Sequence, residues 1–202
     1  MQPAARLAAA IDVLSALSKT PEPADKVLRE FFRARRYAGS KDRAAVAERL
    51  YTVLRHYYSY AWRMNSTEPR ALVIASLLAE SAAPEEFFTG TAYSPAALSD
   101  DECDAIAAAP ENPPRHVQGE FPAWLEPELE KAFGADLLAE MAAMGARATV
   151  DLRVNTLKTS RDALIDALAV EGFDAAPTPH AATGGRFGHG NHRSPYRRGH
   201  AR

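Results

Sequence analysis

The stretch TVDLRVNTLKTSRDALIDALAVEGFDAAPTP, residues 149–179, is the most informative part of the chain. Its start has the alternation of a half-buried β-strand, with apolar residues at every second position: Val150, Leu152, Val154. Ser160 is a good N-cap for a following helix, because its hydroxyl can accept a hydrogen bond from an amide of the first turn. Gly172 can end that helix in a left-handed conformation. The stretch therefore predicts a strand, a helix and, at 173–176, a second strand.

Basic and amide side chains surround one end of the first predicted strand: Arg153, Asn155, Lys158 and Arg161. Such groups contact phosphates and base edges in nucleic-acid complexes. The alternative is a solvated strand end beside an exposed helix face, which is the commoner situation of charged residues. The residues alone leave both interpretations open.

Two segments of this region are similar to a known family. LRVNTLKTSRDALIDALAVEGF, residues 152–173, resembles the segment just before the catalytic domain in the RsmB/NOP (Sun) family of RNA 5-methylcytosine methyltransferases. FPAWLEPELEKAFG, residues 121–134, resembles the helix that the family places shortly before that segment. The resemblance implies methyl transfer from S-adenosylmethionine to a cytosine of RNA, with rRNA as the expected partner. It also implies a Rossmann-like catalytic domain that packs on the α+β unit.

The catalytic groups of that family are missing from this sequence. The family binds its cofactor through a glycine-rich turn and attacks the pyrimidine with a cysteine thiolate. GGRFGHG, residues 184–190, lacks the G-x-G-x-x-G spacing, and the single cysteine is preceded by neither Pro nor Thr. That cysteine, Cys103, lies among carboxylates that disfavour the thiolate, so we expect an inert thiol. We therefore expect no catalytic residue, no cofactor in this chain, and no methyl transfer by the chain alone.

The charges are unevenly distributed along the 202 residues, although the net charge is only −2. Residues 26–63 contain ten Lys and Arg against three acids, whereas residues 91–140 contain two against eleven. A basic part of this kind suits a polyanion that binds on one side only. The single cysteine excludes a disulfide framework. No signal peptide or membrane-spanning run is apparent, so we expect a cytoplasmic protein without a membrane partner.

The densest basic cluster surrounds a predicted helix–turn–helix junction: Arg33, Arg35, Arg36, Lys41 and Arg43. An RNA-phosphate patch and a solvated helix face explain these charges equally well. Aromatic residues lie close by in the sequence, and an exposed tyrosine among them could stack on a base. Trp124, in contrast, is predicted to be a packing anchor, because apolar residues flank it.

The first 110 residues predict a mainly α fold, a bundle of short neighbouring helices. Apolar residues at helical spacing predict helices at 3–18, 24–36, 40–57, 69–81 and 99–109. The helix at 69–81 is strongly apolar and should be the most buried. Residues 41–56 resemble the NusB-like RNA-binding bundle that some RsmB-type enzymes carry, through three pairs of residues: Asp42-Arg43, Leu50-Tyr51 and Leu54-Arg55.

Four segments are predicted along the chain: a NusB-like bundle at 1–110, a proline-rich linker at 111–121, an α+β unit at 122–180 and a tail at 181–202. The tail has no Leu, Ile, Val or Met and is rich in Gly, Arg and His, so we expect it to be disordered. Its abrupt start suggests a shifted reading frame or a truncated gene product, with an evolved basic RNA-binding tail as the alternative. His189 and His192 would hold a metal only weakly, so no metal site is expected.

Three hypotheses for the function follow. The first is the N-terminal RNA-binding portion of an S-adenosylmethionine-dependent rRNA (cytosine-5) methyltransferase, inactive alone. The alternative is a stand-alone NusB-like module that binds RNA or a protein without catalysis. The third is a helical interaction protein with no role on RNA. Saturable RNA binding would separate the second from the third, and the sequence leaves open whether the chain is itself an enzyme.

Overall fold

The computed structural model describes residues 1–146, 148–179 and 181–188, and the chain forms two compact units, Met1–Gly145 and Ala146–Arg202. The first unit is helical, which confirms the predicted mainly α fold. Short 3₁₀ turns at Pro84–Glu86, Ala123–Leu125 and Gly134–Asp136 connect some of its helices. These helices are α1 Pro3–Leu17, α2 Ala24–Ala34, α3 Ser40–Arg55, α4 Tyr57–Met64, α5 Pro69–Ala79, α6 Asp100–Ala108, α7 Arg115–Gln118, α8 Glu126–Phe133 and α9 Leu137–Gly145.

α5 is the centre of the first unit's core, as its apolar sequence predicts. Every residue from Ala71 to Leu77 is buried, and Ile74 is 0% exposed. α1, α3 and α4 pack against α5 and contribute further buried side chains, among them Val13 and Leu50. Burial of this apolar surface is the main term that holds the bundle together. Among the described residues, no helix has the length and apolar character needed to cross a lipid bilayer.

The single helix predicted at 40–57 is two helices in the structure. His56 has φ −116° and ψ 32°, which interrupts the helical path between α3 and α4. The Glu120 carboxylate accepts hydrogen bonds from the backbone N–H groups of Tyr58 at 2.9 Å and Ser59 at 3.3 Å. A carboxylate there satisfies amides that the first turn leaves unpaired, and it suits the positive end of the helix dipole. A side chain from a distant part of the sequence therefore helps fix where α4 begins.

We expect Glu120→Ala to destabilise the first unit by about 1–2 kcal/mol, because two amides of α4 lose their acceptor. Glu120→Gln keeps an amide oxygen at the same place and should lose less. Glu128→Ala removes an exposed acid of α8 as a matched control and should change the stability by less than about 0.5 kcal/mol. Thermal unfolding followed by circular dichroism measures all three. Equal stability of the Glu120→Ala and Glu128→Ala proteins would show that this cap contributes nothing.

The segment at 111–121 is packed, in contrast to the predicted linker. It contains α7, whose Val117 is buried, and α7 packs against α4. Phe121 is buried in a second apolar cluster with Leu137 and Met141 of α9. Pro114 therefore directly precedes α7 as its N-cap residue, and the segment does not separate two domains. The boundary between the compact units falls between residues 145 and 146.

The second unit is a three-stranded antiparallel sheet with one helix. β1 Asp151–Arg153, α10 Arg161–Val170, β2 Ala175–Pro177 and β3 Gly184–Phe187 follow one another along the chain. β3 is the central strand, because the order in the sheet is β1-β3-β2. Ser160 caps α10 as predicted, and its hydroxyl accepts a hydrogen bond from the Ala163 N–H at 3.2 Å.

β3 corrects the prediction that disorder begins at residue 181. Gly184 is buried in the middle of the sheet, and a side chain there would collide with Thr178 Oγ1. Phe187 is also buried and packs on Phe173, with the ring centroids 5.8 Å apart. The glycine-rich composition therefore gave no sign of this strand, because neighbouring elements supply most of the apolar surface around it. The later part of the tail, with His189 and His192, lies outside the described residues.

Candidate functional site

The predicted basic cluster lies where α2 ends and α3 begins, and two of its arginines have local partners. The Arg35 guanidinium lies 3.7 Å from the ring centroid of Phe31, and its Nη2 is 3.6 Å from Asp12 Oδ2. Arg43 Nε donates a hydrogen bond to the Ala38 carbonyl at 2.8 Å. Both side chains therefore already have partners within the first unit.

The other three cations of the cluster are exposed: Arg33, Arg36 and Lys41. None of them has an ionic or hydrogen-bond partner among the residues that the structure describes. Arg33 lies in the last turn of α2, where a positive charge suits the helix dipole. Cations that are not paired with neighbouring carboxylates are available to a polyanion. We call Arg33, Arg36 and Lys41 the basic turn.

Asp42 ties the basic turn to α1. Its Oδ1 accepts a hydrogen bond from Arg6 Nε at 2.9 Å and lies 3.0 Å from the amino group of Met1. Its Oδ2 accepts a longer hydrogen bond from the Gly39 N–H at 3.3 Å. The hydrogen bond from the amino group, with that from Arg6, holds the pKa of the Asp42 carboxyl below its ordinary value. Asp42 and Arg43, on which the resemblance of the bundle partly depends, thus both have partners within the first unit.

The second predicted group lies in the other unit and is only partly available. Asn155 is used by its own turn, since its Oδ1 accepts a hydrogen bond from the Leu157 N–H at 3.1 Å. Arg161 Nε is paired with the neighbouring carboxylate at 3.1 Å. Arg153 and Lys158 are exposed and have no partner in the described part of the chain. Two of the four predicted residues therefore remain as candidates for a contact.

Arg186 on β3 is a cation that the sequence analysis did not single out. Its Nε and Nη2 donate to the two carboxylate oxygens of Asp151 at 2.7 and 2.9 Å. These hydrogen bonds lower the pKa of Asp151. Asp151 and Arg153 are two residues apart on β1, so this ion pair and the Arg153 side chain share one face of the sheet. The pair was hidden from sequence analysis because residue 186 was placed in the tail.

A groove of about 750 Å³ lies beside the basic turn. Its rim includes two strongly exposed aromatic residues, Tyr37 at 74% and Tyr93 at 84% exposure. Tyr37 follows the basic turn residue Arg36 directly in the sequence. No local signal could place Tyr93 at the same groove, because it comes from the loop before α6. The wall of the groove consists of the first two residues of the chain, residues of α1 and one arginine: Met1, Gln2, Ala5, Ala8, Ala9, Asp12 and Arg35.

The remaining sequence candidates have other roles. Trp124 is 77% exposed, so the prediction of a packing anchor is wrong, and Phe121 occupies the buried position instead. Cys103 is exposed on α6. That helix begins with a capping box, in which the Ser99 hydroxyl accepts from the Glu102 N–H at 3.2 Å. In residues 1–146, 148–179 and 181–188, no group of His, Cys, Asp and Glu side chains is arranged to hold a metal ion.

The glycines of β3 do not fit the cofactor that the family resemblance implies. A cofactor cradle needs glycines in an open turn that leads into a helix N-terminus. Gly184 and Gly185 are instead buried in the central strand, with Thr178 and Ala181 against Gly184. We therefore assign no described residue to the binding of S-adenosylmethionine.

Comparison with known proteins relates the chain to RNA methyltransferases. Residues 121–187 match the family model described as "Methyltr_RsmF/B-like, ferredoxin-like domain". This match confirms the resemblance to the RsmB/NOP family over residues 121–187, which are similar to the ferredoxin-like domain of these methyltransferases. The observed order of strand, helix, strand, strand is the beginning of the β-α-β-β-α-β ferredoxin-like arrangement. The match ends at the last residue of β3, in agreement with the structure.

A solved structure described as "Crystal Structure of PH0851" has a similar fold. It is 16% identical in sequence, with a TM-score of 0.52, and the match covers 93% of this chain and 49% of that chain. The chain thus spans about half the length of that solved protein. At this identity the likeness concerns the fold alone. A search of curated proteins found no match.

Proposed function

We propose that this chain is the RNA-binding portion of an S-adenosylmethionine-dependent rRNA (cytosine-5) methyltransferase. The observation that carries the proposal is the basic turn, in which Arg33, Arg36 and Lys41 are exposed and have no described partner. These cations occur in a chain that also has the RsmF/B-like ferredoxin-like domain. An RNA backbone is the ligand that both features share.

The charges around the basic turn support a phosphate ligand. Most other exposed cations of the first unit are paired, as Lys26 is with Glu22 at 2.8 Å and Arg29 with Asp25 at 2.8 Å. The basic turn is held in place by Asp42 and Arg43, which bind α1 and the Ala38 carbonyl. Cations on a fixed backbone lose less conformational freedom when a phosphate binds.

In this proposal the chain docks the substrate and does not itself carry out methyl transfer. The cofactor would supply the methyl group, and no described residue fits it. Arg153 and Lys158 of the second unit provide a second phosphate contact, because both are exposed and unpaired in the described part of the chain. Each unit would then contribute contacts to RNA phosphates.

The salt dependence of RNA binding tests the role of the basic turn. We expect the triple variant Arg33→Gln, Arg36→Gln, Lys41→Gln to flatten the plot of log Kobs against log salt concentration by about two to three units of slope. The physical reason is that each phosphate contact releases counterions when the RNA binds, so fewer counterions are released when contacts are lost. Fluorescence anisotropy with a labelled rRNA fragment, measured at several salt concentrations, gives the slope.

A control with the same loss of net charge separates local contacts from general attraction. Lys19→Gln, Lys26→Gln, Lys131→Gln removes three cations that lie outside the basic turn, two of them in exposed ion pairs. We expect this control to bind with nearly the slope of the unchanged chain. If both triple variants lose the same slope, or neither loses any, the basic turn is not the RNA-binding site.

A stand-alone binding module of NusB-like character is the second candidate. It is favoured by the fact that the first unit contains its own core and the whole basic turn. The double variant Arg153→Gln, Lys158→Gln discriminates between the candidates in the full chain. Weaker RNA binding would support docking by both units, whereas unchanged binding would favour a module in which only the bundle contacts RNA.

A further inference from the structure

We propose that the groove beside the basic turn holds an unpaired base of the RNA, with Tyr37 and Tyr93 as its stacking surfaces. The inference rests on the proposed RNA binding and deepens it. It names single-stranded RNA as the preferred ligand, and it assigns the phosphates to the basic turn and the base to the groove. The sequence gives no reason to link the two tyrosines, which come from separate loops.

Tyr37 is presented by a fixed turn. The Ala38 N–H donates to the Arg35 carbonyl at 3.1 Å, and the Ala38 carbonyl accepts from Arg43 Nε at 2.8 Å. Ala38 itself is buried, at 3% exposure. The backbone on both sides of Tyr37 is therefore anchored while its ring is 74% exposed. An aromatic ring in this position is not needed for the core and is available to a ligand.

Tyr93 is presented by a second closed turn. The Ser94 N–H donates to the Thr91 carbonyl at 2.9 Å, and the Gly90 N–H donates to the Pro95 carbonyl at 2.9 Å. The hydroxyls of Thr89 and Ser94 are also hydrogen-bonded, at 2.7 Å. These bonds hold the loop in one shape, so the 84% exposed ring of Tyr93 is positioned at the groove before a ligand arrives.

The charges place the base, and not a phosphate, inside the groove. Arg35 and Asp12 both line it and lie 3.6 Å apart, so their charges offset one another. Met1 also lines it, and its amino group is already paired with the Asp42 carboxylate at 3.0 Å. The rest of the wall is mostly alanine side chains of α1. A phosphate would meet the Asp12 carboxylate there, whereas a base meets apolar and aromatic surface. The basic turn, next to Tyr37 in the sequence, supplies the cations for the adjoining phosphates.

This arrangement combines the two elements that bind single strands without strict sequence preference: cations along the backbone and aromatic rings for the bases. A base in a duplex is stacked on both sides and cannot enter a groove of this kind without being extruded. The groove, with a volume of about 750 Å³, falls in the usual size range of small-ligand sites. Single-stranded RNA is therefore the ligand that uses both features together.

The test compares one single-stranded RNA with one blunt RNA duplex, matched in phosphate number, by fluorescence anisotropy on the full chain. We expect Tyr37→Ala with Tyr93→Ala to weaken binding of the single strand by about fivefold to 150-fold, the effect of losing stacking on one base. Duplex binding should change less than twofold (roughly the error of such an assay), because phosphate contacts remain. Tyr37→Phe with Tyr93→Phe keeps the rings and should bind like the unchanged chain.

A fluorescent base reports stacking itself, separately from any effect of the substitutions on the fold. 2-Aminopurine in the single strand should be quenched on binding to the unchanged chain and to the Phe variant, and not on binding to the Ala variant. Equal loss of single-strand and duplex binding in the Ala variant, loss in the Phe variant, or unchanged binding in both would overturn the stacking assignment. Unchanged binding of both RNAs by the basic-turn triple variant would instead refute the proposed function itself.

Discussion

Ile74→Ala should destabilise the first unit by about 2–5 kcal/mol, because it leaves a cavity at the centre of the core. Ile74 is 0% exposed on α5, and α1, α3 and α4 pack around that helix. The neighbouring helices can close only part of the space, so both transfer energy and packing contacts are lost. Chemical denaturation followed by circular dichroism measures the change in the free energy of unfolding.

Leu54→Ala is the matched control for that substitution. Leu54 also is an aliphatic residue of the first unit, on α3, but it is 37% exposed. We expect it to cost less than about 1.5 kcal/mol, because much of the removed surface is already in contact with water. A loss at Ile74 no larger than the loss at Leu54 would contradict the position of α5 at the centre of the bundle.

Phe187→Ala should destabilise the second unit by about 3–5 kcal/mol. Phe187 is 6% exposed at the end of β3 and packs on Phe173, so its removal leaves a large cavity in a small sheet. A unit of this size has little stability to spare, and we expect the sheet to open. Hydrogen exchange followed by mass spectrometry should show loss of protection in β1 and β2, with the amides of α5 unchanged.

Val170→Ala controls for the loss of an apolar side chain in the same unit, since Val170 is 90% exposed. It should leave the free energy of opening, as measured by amide exchange in β1 and β2, within about 0.5 kcal/mol of that in the unchanged chain. If Phe187→Ala behaved like Val170→Ala, residues 184–187 would not be part of the sheet. The original expectation of a disordered tail from residue 181 would then be correct for that segment.

Local features of the fold could be predicted because their causes are local. The helical spacing of apolar residues located α1, α2 and α5 to within a few residues. Ser99 and Ser160 were identifiable as N-caps because the acceptor and the amide are three residues apart. The alternation of apolar and polar residues likewise located β1.

Features that depend on distant partners could not be predicted. The break between α3 and α4 involves Glu120, which belongs to a segment that the prolines suggested was a linker. β3 has one large apolar residue and buried glycines, so neither composition nor periodicity indicates a strand. Its place in the sheet depends on β1 and β2 on either side. Composition predicts disorder only when no neighbouring element supplies the missing apolar surface.

The candidate site shows the same difference between features with local causes and features that depend on distant partners. The sequence identified the basic cluster, but Arg35 and Arg43 have structural partners that only the fold reveals, Asp12 and the Ala38 carbonyl. Asn155 was predicted to contact RNA, and only the fold shows that its side-chain oxygen closes its own turn. The groove could not be predicted, because Tyr93 reaches it from a loop that no local pattern relates to the basic turn.

The most direct test of RNA binding by the basic turn is photocross-linking of the full chain to an rRNA fragment, with the attached peptides identified by mass spectrometry. We predict that the cross-linked residues fall within residues 33–43 and around Tyr93. A second set at 153–158 is expected if both units dock the RNA. Cross-links confined to α8 and α9, or none above the level of an unrelated acidic protein, would contradict the account.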